Sequence, residues 1–204
     1  MPDLTELYAA LKVAADDDRF EAAVMASPLG DQVVTRHPLG FHVVKVETPG
    51  AALRLHLWKP GGVDQPGYEV HDHIFNLKSR VVVGAIRHRT YAFRSDAAGD
   101  HVVYAVKYSD GESRIAKTDR RVQMHPVSEA IYQAGDTYSV AAGELHDAEL
   151  LGHDWGVTLV LTGAVGGTAR TIGPWDGPSV LNASRGAASA DTLKTLGLDG
   201  ARLL

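Results

Sequence analysis

His71-Asp72-His73 is the segment of this chain best suited to holding a cation. On a strand, residues i and i+2 point to the same face. Two imidazoles would then stand about one strand repeat apart and could both reach one ion. Imidazole suits Fe(II), Zn, Ni and Cu, so ligand type alone does not select the metal. A lone pair of this kind is a weak signal, because a chain with ten histidines produces one readily by chance, and a solvated loop is the competing reading. Cysteine is absent, which excludes disulfides, thiolate metal sites and a cysteine nucleophile. Any transition-metal site must therefore draw on His, Asp, Glu and water. A second polar group, Arg54, His56 and Trp58, alternates with Leu53, Leu55 and Leu57. Parity sends the two sets to opposite faces of one strand, and Arg54 could pair with a substrate carboxylate through its planar fork. The competing reading is a solvated polar face over a leucine core. Arg87, His88 and Arg89 read as an exposed basic strip.

The elements that must position these residues change in texture near residue 31. Before it, Leu4, Leu7, Tyr8, Leu11 and Val13 come close to a helical period, and Asp3 with Glu6 has capping-box spacing. A second short helix is expected from Asp16-Asp17-Asp18 through Met25. After it, runs rich in Val, Leu, Ile and Tyr alternate with Gly, Pro and Asp. Strands are expected at Gln32–His37, Phe41–Glu47, Ala52–Trp58, Ser79–Phe93, His101–Ser109, Glu112–Lys117, Ala130–Gln133, Thr137–Ala141 and Gly156–Thr162. Asp110-Gly111 is a two-residue hairpin signal. Many strands at this spacing argue for a sandwich or barrel, and no helical patterns intervene to build a parallel α/β sheet. From Gly163 the chain reads as loop, with a short helix near Asp191–Leu196 and with Trp175 and Leu181 pinning the tail to the barrel. The expected organisation is a helical extension over 1–30, a barrel over 31–165 and a C-terminal extension over 166–204.

Composition limits the function. The 204 residues carry 20 Lys+Arg against 25 Asp+Glu, a net charge of −5, which leaves no broad basic footprint for nucleic acid. No apolar run approaches the ~18 residues that a membrane span needs. The N-terminus has neither a basic n-region nor an apolar h-region, so the expected location is the cytoplasm.

Two segments together resemble the paired motifs of the cupin superfamily. His71 and His73, with Gly84 at the right interval, resemble the first. Gly135, Ala141, Gly143 and His146 match the spacing of the second, with Ala141 where proline is usual. The resemblance covers residues 40–162. It implies an all-β fold, a double-stranded β-helix or jelly-roll barrel, here with N-terminal helices and a loop-rich C-terminal tail. It also implies that His71, His73 and His146 meet inside the barrel mouth as a three-histidine metal site. The usual glutamate ligand is missing, with Leu77 in its place, so coordination positions stay open. Among cupins the chain looks most like the cysteine dioxygenase group, which uses Fe(II) to add dioxygen to a small thiol. It departs from that group in lacking cysteine, and hence the thioether crosslink. Where the group has a Ser-His-Tyr trio, this chain offers Thr158, Val160 and Thr162. By this resemblance Arg54, His56 and Trp58 face the pocket and bind substrate.

The resulting expectation is a non-haem Fe(II) oxygenase acting with dioxygen on a small polar metabolite of the amino-acid or thiol type. Zn, Ni or Mn are the alternative metals, and a homodimer is the expected assembly. One alternative is a metal-dependent lyase or isomerase, for which Tyr104, Glu144 or Tyr68 would serve as general base. Another is a non-enzymatic small-molecule-binding cupin. Asp72 or Glu144 could orient a ligand imidazole by hydrogen bonding.

Overall fold

The computed structural model describes residues 3–60, 65–109, 111–152, 154–164 and 166–188. Helix α1 (Leu4–Asp16) starts where the Asp3 carboxylate accepts from the backbone N–H groups of Thr5 and Glu6 at 2.8 and 3.3 Å. This satisfies donors that the first helical turn leaves unpaired. Asp18 adopts a positive φ of 56°, and α2 (Phe20–Met25) follows. Both helices cover one face of a sheet. Leu4, Tyr8, Leu11, Phe20 and Val24 pack with Leu53, Leu55, Leu57, Val157 and Leu159. Buried Arg80 reaches out from that sheet to Asp16 and to the Gly135 carbonyl, tying α1 down. No described helix is long and apolar enough to cross a membrane.

The strands are β1 (Thr35–Arg36), β2 (His42–Thr48), β3 (Ala51–Trp58), β4 (Phe75–Val83), β5 (Ala85–Ser95), β6 (His101–Ser109), β7 (Glu112–Gln133), β8 (Thr137–Val140), β9 (Leu145–Leu151), β10 (Gly156–Ala164), β11 (Ala169–Pro174) and β12 (Val180–Ser184). All pairings between them are antiparallel. One sheet runs β1-β2-β3-β10-β4-β8 and the other β11-β6-β7-β5-β9, with β12 on β7. The short segment Val70–Asp72 joins the second sheet. His71 exchanges both backbone bonds with His146, while its neighbours bond to Arg170 and Ile172. Following the chain, β3, residues 70–72, β4, β5, β8, β9 and β10 alternate between the sheets, apart from the long hairpin after β5. This alternation is the jelly-roll winding of a double-stranded β-helix.

Three expectations are corrected. The run Ser79–Phe93 is not one strand. It breaks at Gly84, whose φ is 83° and where a Cβ would lie 3.3 Å from both Gly156 Cα and the Trp155 carbonyl. The break lets β4 and β5 enter different sheets. Residues 112–133 are one strand rather than two. β7 pairs first with β6 and then with β5, so that β5 and β6 act as one long strand interrupted at 96–100. The tail is not loop alone, because β11 pairs along β6 and β12 along β7. Trp175 is held by the cations of Lys117 and Arg121, at 4.9 and 4.4 Å from its ring, and Leu181 packs on the cluster around Tyr104. The helix expected near Asp191–Leu196 lies outside the described residues.

Candidate metal centre

His71 and His73 sit at the start of the second jelly-roll segment, and His146 is the second residue of β9, directly opposite His71. This pairing brings the histidines together although they are far apart in sequence. Their ring centroids lie 4.6–5.0 Å apart, and one nitrogen from each falls within 4.8 Å of the others. Three nitrogens at ~2.1 Å from one ion stand roughly 3.0–3.6 Å apart, so each ring has up to about 1 Å to draw in. The ring orientations suit this. His71 Nδ1 lies 2.7 Å from the Glu69 carbonyl and His146 Nδ1 lies 3.0 Å from the Glu144 carbonyl. A carbonyl accepts only from an N–H, so each contact puts the proton on Nδ1 and leaves Nε2 as the free donor to a metal. Desolvation by burial lowers the pKa of His71, and lowers those of His73 and His146 well below the ordinary value. All three are therefore neutral near pH 7, the state in which imidazole ligates.

Two further contacts fix the loops. Gly143 donates its N–H to the His73 carbonyl at 2.9 Å. Asp72, 2% exposed, accepts from the Arg170 backbone N–H and from its Nε, both at 2.6 Å, and lies 2.5 Å from its Nη2 in an ion pair. Arg170 Nη2 also reaches the Gly143 carbonyl at 3.2 Å. Asp72 thus clamps Arg170 across both motif loops and does not hydrogen-bond to a ligand imidazole. The Glu144 side chain does not orient one either, since its backbone carbonyl makes the contact.

The histidines open into a cavity of about 630 Å³. Leu53, Leu55 and Leu57 face the helices, so the polar set of β3 faces the interior. Of that set only Arg54 lines the cavity. Its guanidinium lies 4.9 Å over the Phe75 ring, and Phe75 stacks on His73 at 4.8 Å. Arg54 Nε is buried and has no hydrogen-bond partner among the described residues, and desolvation lowers its pKa. His56 and Trp58 stand behind the cavity wall in an aromatic cluster with Phe41, at 4.7 and 4.4 Å from it. The Trp58 indole N–H is used by Thr158 Oγ1 at 3.1 Å. Burial, reinforced by the Arg54 charge, pushes the His56 pKa down to about 3.

Tyr104 is placed elsewhere. It is fully buried against Tyr68, Val102 and Ile115, and its hydroxyl meets the Tyr68 hydroxyl at 3.4 Å and the Pro174 carbonyl at 3.3 Å. Burial raises its pKa further from the range of a general base. Leu77 pairs with Val140 and Thr162, on the face that Phe75 presents to the cavity.

Besides Arg170, three residues of the site region were not singled out by the sequence. His88 is buried, not part of an exposed strip, and its ring lies 5.3 Å from that of His146. The signal was its parity with Ile86, against Arg87 and Arg89, which pair with Glu149 and Asp147. His37 lines the cavity and stacks on Phe41 at 4.2 Å. Arg185 lines it from the tail, a segment read as loop, where no local pattern marked it.

No known protein family and no curated protein matches the sequence. Solved structures with a related arrangement include an uncharacterized conserved protein with a double-stranded β-helix domain from Klebsiella pneumoniae subsp. pneumoniae MGH 78578, 13% identical with a TM-score of 0.35 over 62% of this chain and 73% of that one. Hydroxypropylphosphonic acid epoxidase from S. wedmorenis is 12% identical with a TM-score of 0.39, over 67% and 57% of the two chains. A chain from the crystal structures of the DMSP lyases RdDddP and RnDddQII is 16% identical with a TM-score of 0.42, over 76% and 72%. The fold assignment rests on the strand order of this chain.

Proposed function

We propose that this chain is a mononuclear metalloenzyme in which His71, His73 and His146 hold one divalent ion, Fe(II) by first choice. We further propose that it oxygenates a small anionic metabolite of the amino-acid or thiol type. The observation that carries this reading is the trio of neutral imidazoles, two with Nδ1 committed to backbone carbonyls, at the wall of a cavity that also holds Arg54. The donor set fits such an ion. Three neutral ligands leave the ion's charge uncompensated and, with Leu77 where a fourth ligand could stand, leave positions open. A ferrous ion there would supply redox chemistry and places for substrate and dioxygen.

The remaining work falls to the chain's own residues. The Glu69 and Glu144 carbonyls hold two rings in the ligating tautomer. The Asp72–Arg170 pair keeps the two motif loops together. Arg54, to which no carboxylate among the described residues is bonded, takes the anionic group of the substrate and sets its orientation. Phe75 excludes water from one side. A lyase or isomerase needs a cavity base, and the three that the sequence offered are not placed for it. Tyr104 and Glu144 do not line the cavity, and the hydroxyl of Tyr68, which does, is turned to Tyr104.

The test is oxygen uptake by protein loaded anaerobically with Fe(II), screened against small thiols and amino acids. Substrate-dependent uptake, lost in His146→Ala, supports the oxygenase. Turnover of the same compounds without dioxygen, with zinc or manganese in the site, would replace it with the lyase or isomerase. Binding without turnover under either condition would leave a binding protein.

A further inference from the structure

The chain after β12 crosses the cavity from one sheet to the other. Arg185 N–H bonds to the Gly111 carbonyl at 2.7 Å, Arg36 N–H bonds to the Gly186 carbonyl at 3.0 Å, and Ala187 forms a bridge with Thr35 of β1. Residues 185–188 are thus a strap tied at one end to the β6–β7 hairpin and at the other to β1. The strap holds the Arg185 side chain in the cavity wall, with Nε bonded to Ser113 Oγ at 2.6 Å and the guanidinium 5.1 Å over the Tyr108 ring.

The charges of the cavity do not balance. Lys45 closes on Glu47 at 3.0 Å and Arg170 on Asp72 at 2.5 Å. Arg36 has interactions of its own. Among the described residues no carboxylate lies within ion-pair distance of Arg54 or Arg185. The Arg185 charge acts on Arg54, where the Glu47 charge opposes it, and also on His37 and His71. Two guanidiniums that repel one another, one with a buried and unpartnered Nε, are costly to hold in one cavity unless an anion joins them. Their positions differ, since Arg54 sits on β3 beside the Phe75–His73 stack and Arg185 sits on the strap at the opposite sheet.

We propose that the cavity takes a small ligand carrying two separated anionic groups, a dicarboxylate or its equivalent, with Arg54 holding one group and Arg185 the other. This rests on the reading of the cavity as the substrate chamber and narrows the substrate class to dianions. It also gives the C-terminal strap a role in specificity.

The test uses the metal-free full chain, titrated calorimetrically with malonate, succinate and glutarate and with the matched monoacids acetate, propionate and butyrate. At least one dicarboxylate should bind about tenfold or more tightly than its monoacid, the size expected of one added charge-assisted contact. Arg185→Gln should bring that dicarboxylate to within about twofold of the monoacid measured on the same variant, as loss of that one contact requires. Ser113→Ala, which removes the strap bond but keeps the charge, should retain the preference, as should Arg185→Lys in part, provided thermal melts show these variants folded. Equal binding of mono- and dicarboxylates by the unmodified chain would overturn the proposal. So would an Arg185→Gln variant that is folded yet weakens both ligands alike. Because no metal is present, failure of the three-histidine site would leave this titration unaffected, and failure here would leave metal binding intact.

Discussion

Removing the Asp72 carboxylate should loosen the barrel mouth by an amount that can be worked out from its contacts. Asp72 is 2% exposed, accepts two hydrogen bonds from Arg170 at 2.6 Å and forms an ion pair with its Nη2 at 2.5 Å. Breaking a fully buried pair costs ~3–5 kcal/mol, largely because the surviving charge is stranded. In Asp72→Ala the survivor is Arg170, whose side chain is 32% exposed and can rehydrate, so about 2–3 kcal/mol is the better figure. For a domain of this size that is a fall in Tm of roughly 5–10 °C. Arg170→Ala strands the more buried partner and should cost more. The double variant should fall short of the sum by ~1–2 kcal/mol, since each single change already breaks the pair. Thermal denaturation of the metal-free protein at pH 7, followed by circular dichroism, gives all three values. Metal affinity should also drop in Asp72→Ala, because Arg170 joins the His71–His73 segment to the Gly143 loop. Additive single variants with a Tm within about 1 °C of the unmodified chain would refute the clamp, because a broken buried pair cannot cost so little.

Other predictions follow from the same geometry. Leu77→Glu should tighten divalent-ion binding while lowering oxygenase turnover, because the added carboxylate takes an open position; unchanged turnover with spectroscopically demonstrated Glu coordination would contradict the open-site reading. The folded-state pKa values of His56, His71, His73 and His146 lie below the ordinary value. The unfolded chain therefore takes up protons first on acidification. Stability should be full above about pH 6.5 and fall as pH drops below it; a metal-free Tm that stays level or rises from pH 7 to pH 5 would count against these burials. His88→Ala should weaken metal binding about tenfold by removing the ring that backs His146, in the range seen when support for a ligand is lost, while His88→Phe should largely restore it. Equal losses in both variants would point to a role other than packing.

What the sequence made legible was what depends on parity and on motif spacing. The alternation of Arg54, His56 and Trp58 with leucines divides an interior face from a helix-covered face, because burial on a strand has a period of two. The glycine-marked spacing ahead of His146 pointed to its meeting with His71, which the structure realises as a direct cross-strand pair. Parity could not tell how far into the interior each side chain reaches, so His56 and Trp58 were grouped with Arg54 although they pack behind Phe41. The same parity, applied to Ile86 and His88, would have placed His88 inside. The charges on either side masked it, and Arg87 and Arg89 do pair on the outer face. β9 was missed because Leu145–Leu151 carries His146, Asp147 and Glu149 among its apolar residues. Asp147 is buried there only because Arg89 and Tyr91 bond to it at 2.9 and 2.8 Å. Arg170 and Arg185 lay in a glycine-rich stretch whose strands form through long-range pairing with β6 and β7, which leaves no local periodic signal.

The central claim is that His71, His73 and His146 bind one ion between them, and an anaerobic titration of the metal-free chain with Co(II), read by its visible absorption, tests it most directly. The expected result is a single saturating transition at one ion per chain, abolished or greatly weakened in each of the three single alanine variants while their circular dichroism stays that of the folded barrel. Saturation at the same stoichiometry and affinity in a folded His71→Ala/His73→Ala/His146→Ala variant would contradict it.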